Sequence, residues 1–186
     1  MRYRLIDLIR HGEVEGGRCF RGRRDDPLSA VGWSQLETAT GTGGRMQRAR
    51  DSSALGAISR PIEATTGAPP WDRILCSPAA RCAHFADRLA ADIELPAEQM
   101  DSLRERDFGN WEGLRADQIP PQALARFWAD PSAYDPPGSE PFVDFRRRVI
   151  AGWQRALDGG GNHLLLITHG GVIRVIIGEL LGIPNE

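Results

Sequence analysis

The chain has 186 residues, a formal net charge of −2 and 41% hydrophobic residues, which suits one soluble domain with a substantial core. All 23 basic residues are arginine, so a phosphate-loop lysine, a pyridoxal Schiff base and a lysine nucleophile are excluded. The near-neutral charge offers no electrostatic case for nucleic acid or a membrane surface, and the longest apolar run, Leu164 to Ile167, is far too short to span a bilayer.

In chain order, Tyr3 to Ile9 reads as a first strand, followed by a glycine- and arginine-rich loop from Arg10 to Asp26. Pro27-Leu28-Ser29 opens a helix to about Thr40, with Ser29 as its cap and Val31, Leu36 and Ala39 as its apolar positions. Residues 41–66 carry no sustained period and read as an insertion, with a short helix around Arg45 to Leu55. Trp71 to Cys76 is a second strand, and Ala79 to Ala91 a helix with Cys82, Ala83, Phe85, Ala86 and Leu89 on one face. Gln99-Met100 reads as a short strand, Gln122 to Ala129 as a short helix and Phe142 to Leu157 as an amphipathic helix. His163 to Thr168 is the central strand and Val172 to Leu181 the last helix. Strands alternating with helices predict a mostly parallel sheet in an α/β fold. No strand follows the last helix, so the fold is expected to be one edge element short.

Cys19, Cys76 and Cys82 are odd in number and lack zinc-ligand spacing, so they read as free thiols in a reducing compartment. The amino terminus runs directly into a strand, which argues against a signal peptide and for the cytoplasm.

Two segments carry most of the chemistry: Leu8-Ile9-Arg10-His11-Gly12 and Leu166-Ile167-Thr168-His169-Gly170. Each delivers a histidine to the end of an apolar strand, where open α/β sheets bind their ligands. Ser77-Pro78-Ala79-Ala80-Arg81 and Glu105, just ahead of Asp107-Phe108-Gly109-Asn110-Trp111-Glu112-Gly113, fall at further strand ends or adjacent loops. Phosphoryl transfer suits this set. A neutral imidazole attacks phosphorus, arginines neutralise the equatorial oxygens, and a carboxylic acid protonates the leaving oxygen.

These four segments, in this order and with the Phe-Gly and Trp-Glu-Gly elements, resemble the histidine phosphatase superfamily, which includes phosphoglycerate mutases and acid phosphatases. The resemblance implies a three-layer α/β/α sandwich of phosphoglycerate mutase type, working without metal or other cofactor. It implies His11 as the nucleophile that becomes phosphorylated, Glu105 as proton donor, and Arg10, Arg81, His169 and Gly170 around the phosphoryl group. Glu140 matches an acidic residue of the family and reads as structural. The family's phosphate-binding Thr/Ser and Trp-Asn after the nucleophile are replaced here by Val14, Gly16 and Gly17. The glycine-rich version, with Phe20-Arg21-Gly22 and Asp25-Asp26-Pro27-Leu28, looks like the α-ribazole phosphatase subgroup. Gly17, Arg21 and Gly22 are then the candidate substrate-binding positions, and Arg18, Arg23 and Arg24 could add positive charge to the mouth.

A phosphomutase, a broad-specificity phosphatase and a silent phospho-ligand binding module are the alternatives. A zinc hydrolase built on His11, His169 and Glu105 is disfavoured, because the flanking arginines would repel a cation. Expected partners are a small phosphorylated substrate and, in a homodimer, a second copy of the chain. His84, His163, Trp33 and Trp153 read as surface or packing residues, and Arg146-Arg147-Arg148 as a solvated helix face.

Overall fold

Four strands form one wholly parallel sheet in the computed structural model, which describes residues 3–42 and 70–183. β1 (Leu5–Arg10), β2 (Arg73–Cys76), β3 (Ala97–Gln99) and β4 (His163–Thr168) lie in the order β1-β4-β2-β3. The helices are α1 (Ala30–Ala39), α2 (Ala80–Ile93), α3 (Pro121–Ala129), α4 (Phe142–Asp158) and α5 (Gly170–Leu181). The expected 41–66 insertion lies, apart from Gly41 and Thr42, outside the described residues.

The layering follows from the path of the chain. Steps from β1 to β2 and from β2 to β3 run one way across the sheet, and right-handed crossovers put α1 and α2 on the same face. After β3 the chain turns back, so α4 and α5 cover the opposite face. β4 is therefore buried on both sides, which explains its unbroken apolar sequence. Leu164 and Leu166 pack with Val149, Trp153 and Ile176, while Leu165 and Ile167 pack with Leu36, Phe85 and Leu89. Each such aliphatic side chain contributes about 1.5–3 kcal/mol by leaving water. The expected three-layer α/β/α architecture is the observed one.

Local differences from the sequence reading have local causes. α1 is capped by Ser29, whose Oγ accepts the Gly32 N–H at 3.1 Å, but Val31 is exposed and Gly32 and Leu36 are buried. The face is set by close approach of the loop after β1, since a Cβ on Gly32 would lie 2.0 Å from the Glu13 carbonyl oxygen. β3 begins two residues earlier than expected and ends at Gln99, paired with β2 through Ile74–Ala97 and Cys76–Gln99. α5 begins at Gly170, so His169 is its N-cap residue. Its Ile177, Leu180 and Leu181 are exposed.

Between β3 and α4 the chain makes three short 3₁₀ turns and α3. These rest on a small aromatic cluster of Trp111, Phe127, Phe20, Phe108 and Tyr134, separate from the two main cores. No helix among the described residues is long and apolar enough to cross a membrane.

Candidate active site

Sheet register brings the histidines together. Arg10 is paired with Thr168 across β1 and β4, so the next residues, His11 and His169, leave the sheet side by side. The His11 N–H donates to the Thr168 carbonyl at 2.9 Å, and the two rings meet edge to face with centroids 5.3 Å apart. β2 flanks β4 on its other side, and the Ser77 N–H donates to the Ile167 carbonyl at 3.0 Å. The helices following β1 and β4 lie on opposite faces of the sheet, which opens a crevice between these strand ends.

The two imidazoles are held in complementary ways. His11 Nδ1 lies 2.8 Å from the Gly12 carbonyl, a contact that requires Nδ1–H and leaves Nε2 as a free lone pair. Ser77 Oγ accepts the Ala79 N–H at 3.3 Å and stands 2.7 Å from His169 Nε2. A hydroxyl that gives its own proton to Nε2 leaves His169 with Nδ1–H as a donor, the tautomer that suits an anionic ligand. Nδ1 is buried and has no hydrogen-bond partner among the described residues.

Burial pushes His11 down to about 4, opposed by its bond to Gly12 and reinforced by the charges of Arg81, Arg10 and Arg21. Burial also holds His169 well below the ordinary histidine range, with Arg81 and His11 next in effect. Both rings are thus neutral at physiological pH. Their lowered values mean that the unfolded chain binds more protons as pH drops below ~6.5, so stability declines from there toward about 4.

The same shift predicts the acid limb of catalysis. With p-nitrophenyl phosphate, kcat/KM corrected for the substrate's own second ionisation should stay level from pH 7 to 5 and fall only near about 4. A free-enzyme limb close to 6.5 would mean that His11 is well solvated.

Glu105 lies in a stretch with no regular structure, between the 3₁₀ turns at Asp101–Leu103 and Gly109–Trp111. Its Oε1 accepts the Arg106 N–H at 3.1 Å and its Oε2 the Gly171 N–H, in the first turn of α5, at 3.0 Å. Burial raises its pKa above the usual carboxylate range, against these two bonds and the charges of Arg81 and Arg10. Gly171 is required for this approach, because a Cβ there would lie 2.2 Å from Glu105 Oε1. The sequence offered one signal for it, the second glycine after His169.

Arg81 is fully buried at the start of α2. Its Nη1 donates to the Arg24 carbonyl at 2.8 Å and its Nη2 to the Gly22 carbonyl at 3.0 Å. Nε remains without a partner among the described residues. The loop supplying those carbonyls is pinned by Glu112, whose carboxylate accepts the N–H groups of Gly22, Arg23, Arg24 and Phe108 at 2.9–3.1 Å. Asp25 Oδ1 accepts the Ala80 N–H at 2.6 Å and ties the loop to the α2 N-terminus. The Arg10 side chain makes no hydrogen bond or ion pair among the described residues, and its Nε lies 3.6 Å from where a Gly170 Cβ would stand.

The candidate substrate-binding positions separate in the structure. Gly17, at φ 75°, faces open space, with nothing within 4 Å of a Cβ placed on it. Gly22 is buried under the Arg106 carbonyl and both of its backbone polar groups are engaged, so it stands in the wall behind Arg81. Arg21 donates to Asp26 at 2.6 Å and to the carbonyls of Glu15 and Gly17 at 3.0 and 3.3 Å, which folds the glycine loop around its guanidinium. Arg24 shares Asp26, and Arg23 pairs with Asp107 at 2.8 Å. Asp26 and Asp107 therefore offset part of the expected gain in positive charge at the mouth.

Other singled-out residues fall away from this cluster. His163 pairs with Asp7 at 3.0 Å, His84 is exposed, and Trp153 is core. Cys76 and Cys82 are buried, and burial pushes the Cys76 thiol up to about 12.

Comparison with known proteins identifies the family. The chain matches the histidine phosphatase superfamily (branch 1) over residues 62–186 and belongs to it. It is 31% identical over 176 residues to a bifunctional protein of Mycobacterium tuberculosis, covering 91% of this chain but 42% of that protein, so it spans less than half of that relative's length. It is 28% identical over 184 residues to an adenosylcobalamin/α-ribazole phosphatase of Salmonella typhimurium, covering 95% of this chain and 79% of that one. Among solved structures, a mycobacterial glucosyl-3-phosphoglycerate phosphatase in complex with inorganic phosphate is similar at 25% identity and a TM-score of 0.70, over 95% of this chain and 78% of the other.

Proposed function

We propose that the chain is a metal-independent phosphomonoesterase acting through a phosphohistidine on His11, with α-ribazole 5′-phosphate as its substrate and the cytoplasm as its compartment. One observation carries the reading. A neutral imidazole with a free Nε2 stands beside two buried nitrogens that have no partner among the described residues: Arg81 Nε, and His169 Nδ1, which is a donor when Ser77 gives its proton to Nε2. A buried donor left unpaired costs about 1–3 kcal/mol, and a phosphoryl group seated against His11 would pair both.

In the first step His11 Nε2 attacks phosphorus and the P–O bond to the leaving group breaks. Glu105, whose hold on a proton is strengthened by burial, gives its proton to the departing oxygen. Arg10, Arg81, His169 and the Gly170 N–H at the α5 N-terminus take the equatorial oxygens. In the second step Glu105 removes a proton from water, which attacks phosphorus. The P–N bond breaks and phosphate leaves.

The substrate assignment rests on the glycine loop and on the α-ribazole phosphatase relative. Gly16 and Gly17 leave space that a bulky pair would fill, which suits a ribose phosphate bearing an aromatic base. A panel of phosphomonoesters assayed for phosphate release tests this, with and without EDTA. kcat/KM for α-ribazole 5′-phosphate should exceed that for 2- or 3-phosphoglycerate by at least tenfold, or about 1.4 kcal/mol, and EDTA should leave the rates unchanged. Equal values across the panel would leave a broad-specificity phosphatase, and interconversion of the phosphoglycerates a mutase. Phosphate binding without turnover would leave a binding module. Loss of activity in EDTA with recovery on adding zinc would transfer the chemistry to a metal.

A further inference from the structure

We propose that Arg148, paired with Glu140, is a positioning residue for Glu105, fixing where the proton donor stands relative to the leaving oxygen. This rests on the reading of Glu105 as proton donor. Glu105 carries its carboxyl group on backbone with no helix or strand to support it, and proton transfer requires heavy atoms within about 2.6–3.2 Å. Something outside the segment has to hold it.

Arg148, on α4, does so with every N–H it has. Nε and Nη2 donate to the two oxygens of Glu140 at 2.7 and 2.8 Å. Nη1 donates to the carbonyls of Ser102 and Arg104 at 3.1 and 2.8 Å, and Nη2 to the carbonyl of Glu105 itself at 2.9 Å. All five donors of the planar fork are used, and the guanidinium lies over the Phe145 ring, 5.0 Å from its centroid. Glu140 holds the next residues along: its N–H donates to the Asp107 carbonyl at 3.0 Å and its own carbonyl accepts from Arg106 Nε at 2.9 Å. Residues 102–107 are thus strapped to the start of α4, which packs against α5 and hence against the Gly171 N–H that Glu105 accepts. A solvated arginine would show none of this. Its neighbours in sequence, Arg146 and Arg147, point elsewhere around the helix and pair with Glu179 and Asp144 on the surface.

The test is a double-mutant cycle between Arg148 and Glu105. Arg148→Met, Arg148→Lys and Glu140→Gln are each made with Glu105 intact and with Glu105→Gln. Activity is read on p-nitrophenyl phosphate, whose leaving group scarcely needs a proton, and on an alkyl phosphate monoester, whose leaving group does. With Glu105 intact, Arg148→Met should cost at least about tenfold more on the alkyl ester than on the aryl ester. Lysine, with three donors for five acceptors, should fall between methionine and the wild type. In the Glu105→Gln background Arg148→Met should cost the two esters the same. If Arg148→Met does not fold, the lysine and Glu140→Gln variants carry the same comparison. Equal losses on both esters with Glu105 intact, while Glu105→Gln alone is selective for the alkyl ester, would overturn the proposal and leave the proton-donor reading standing. A Glu105→Gln variant without that selectivity would instead remove the proton-donor reading itself.

Discussion

His11→Ala should lower kcat by roughly 10⁴–10⁶-fold, the scale of losing a covalent nucleophile. The fold should tolerate the change. The ring is only half-buried, its Nδ1 bond runs to the adjacent residue, and the backbone bond from His11 N–H to Thr168 survives. A melting temperature within a few degrees of wild type, together with the lost activity, would therefore separate chemistry from stability. In the wild type, rapid quenching with ³²P-labelled substrate should trap an acid-labile, base-stable adduct on His11. Label on another residue, or substantial turnover by His11→Ala, would rule out the phosphohistidine route. Ground-state affinity is expected to persist, because in the proposed site Arg10, Arg81 and His169 would hold the phosphoryl oxygens independently of the nucleophile.

Glu105→Gln should be the second largest loss, about 10²–10⁴-fold on an alkyl phosphate monoester. The effect on p-nitrophenyl phosphate should be much smaller. The substitution also has a structural side, since an amide cannot accept from both the Arg106 and Gly171 N–H groups as the carboxylate does. The aryl ester measures that side, because it feels misplacement of the site but little of the missing proton. The raised pKa of Glu105 adds a pH signature. Phosphoryl transfer to an alkyl leaving group needs the protonated acid, so that step should slow as pH rises through the Glu105 pKa. Glu105→Gln should abolish that alkaline limb. A limb that persists in the variant would assign it to another group, and equal losses on both esters would recast Glu105 as a positioning residue.

The layered α/β architecture and the strand-end histidines were legible from local pattern. A central parallel strand is covered on both faces, so it must be apolar at every position, and Leu164 to Ile167 shows this directly. His11 and His169 stand one residue past paired strand ends, so an apolar run followed by histidine and glycine marks both the strand and the group it delivers. α2 and α4 were readable for a similar reason, since their buried residues recur at helical spacing. Even Arg81, one residue into α2, was reachable from its distance to the strand before it.

What lay beyond local pattern were the partners of charged side chains. Arg146, Arg147 and Arg148 are consecutive and read in sequence as one solvated face, yet only Arg148 reaches back across more than 40 positions to the carbonyls of Ser102, Arg104 and Glu105. Arg21, Arg23 and Arg24 looked like free positive charge until folding set Asp26 and Asp107 against them. Gly22 looked like a ligand contact and is a wall, because Glu112, 90 residues away, takes its N–H. Gly171 and Gly32 are demanded by the oxygens of Glu105 and Glu13, contacts that exist only once the fold has formed. A strand or helix declares itself through the periodic burial of its own side chains, a property of neighbouring residues. A guanidinium or a carboxylate is committed by whichever distant backbone the completed fold brings within about 3 Å, and no spacing along the chain encodes that meeting.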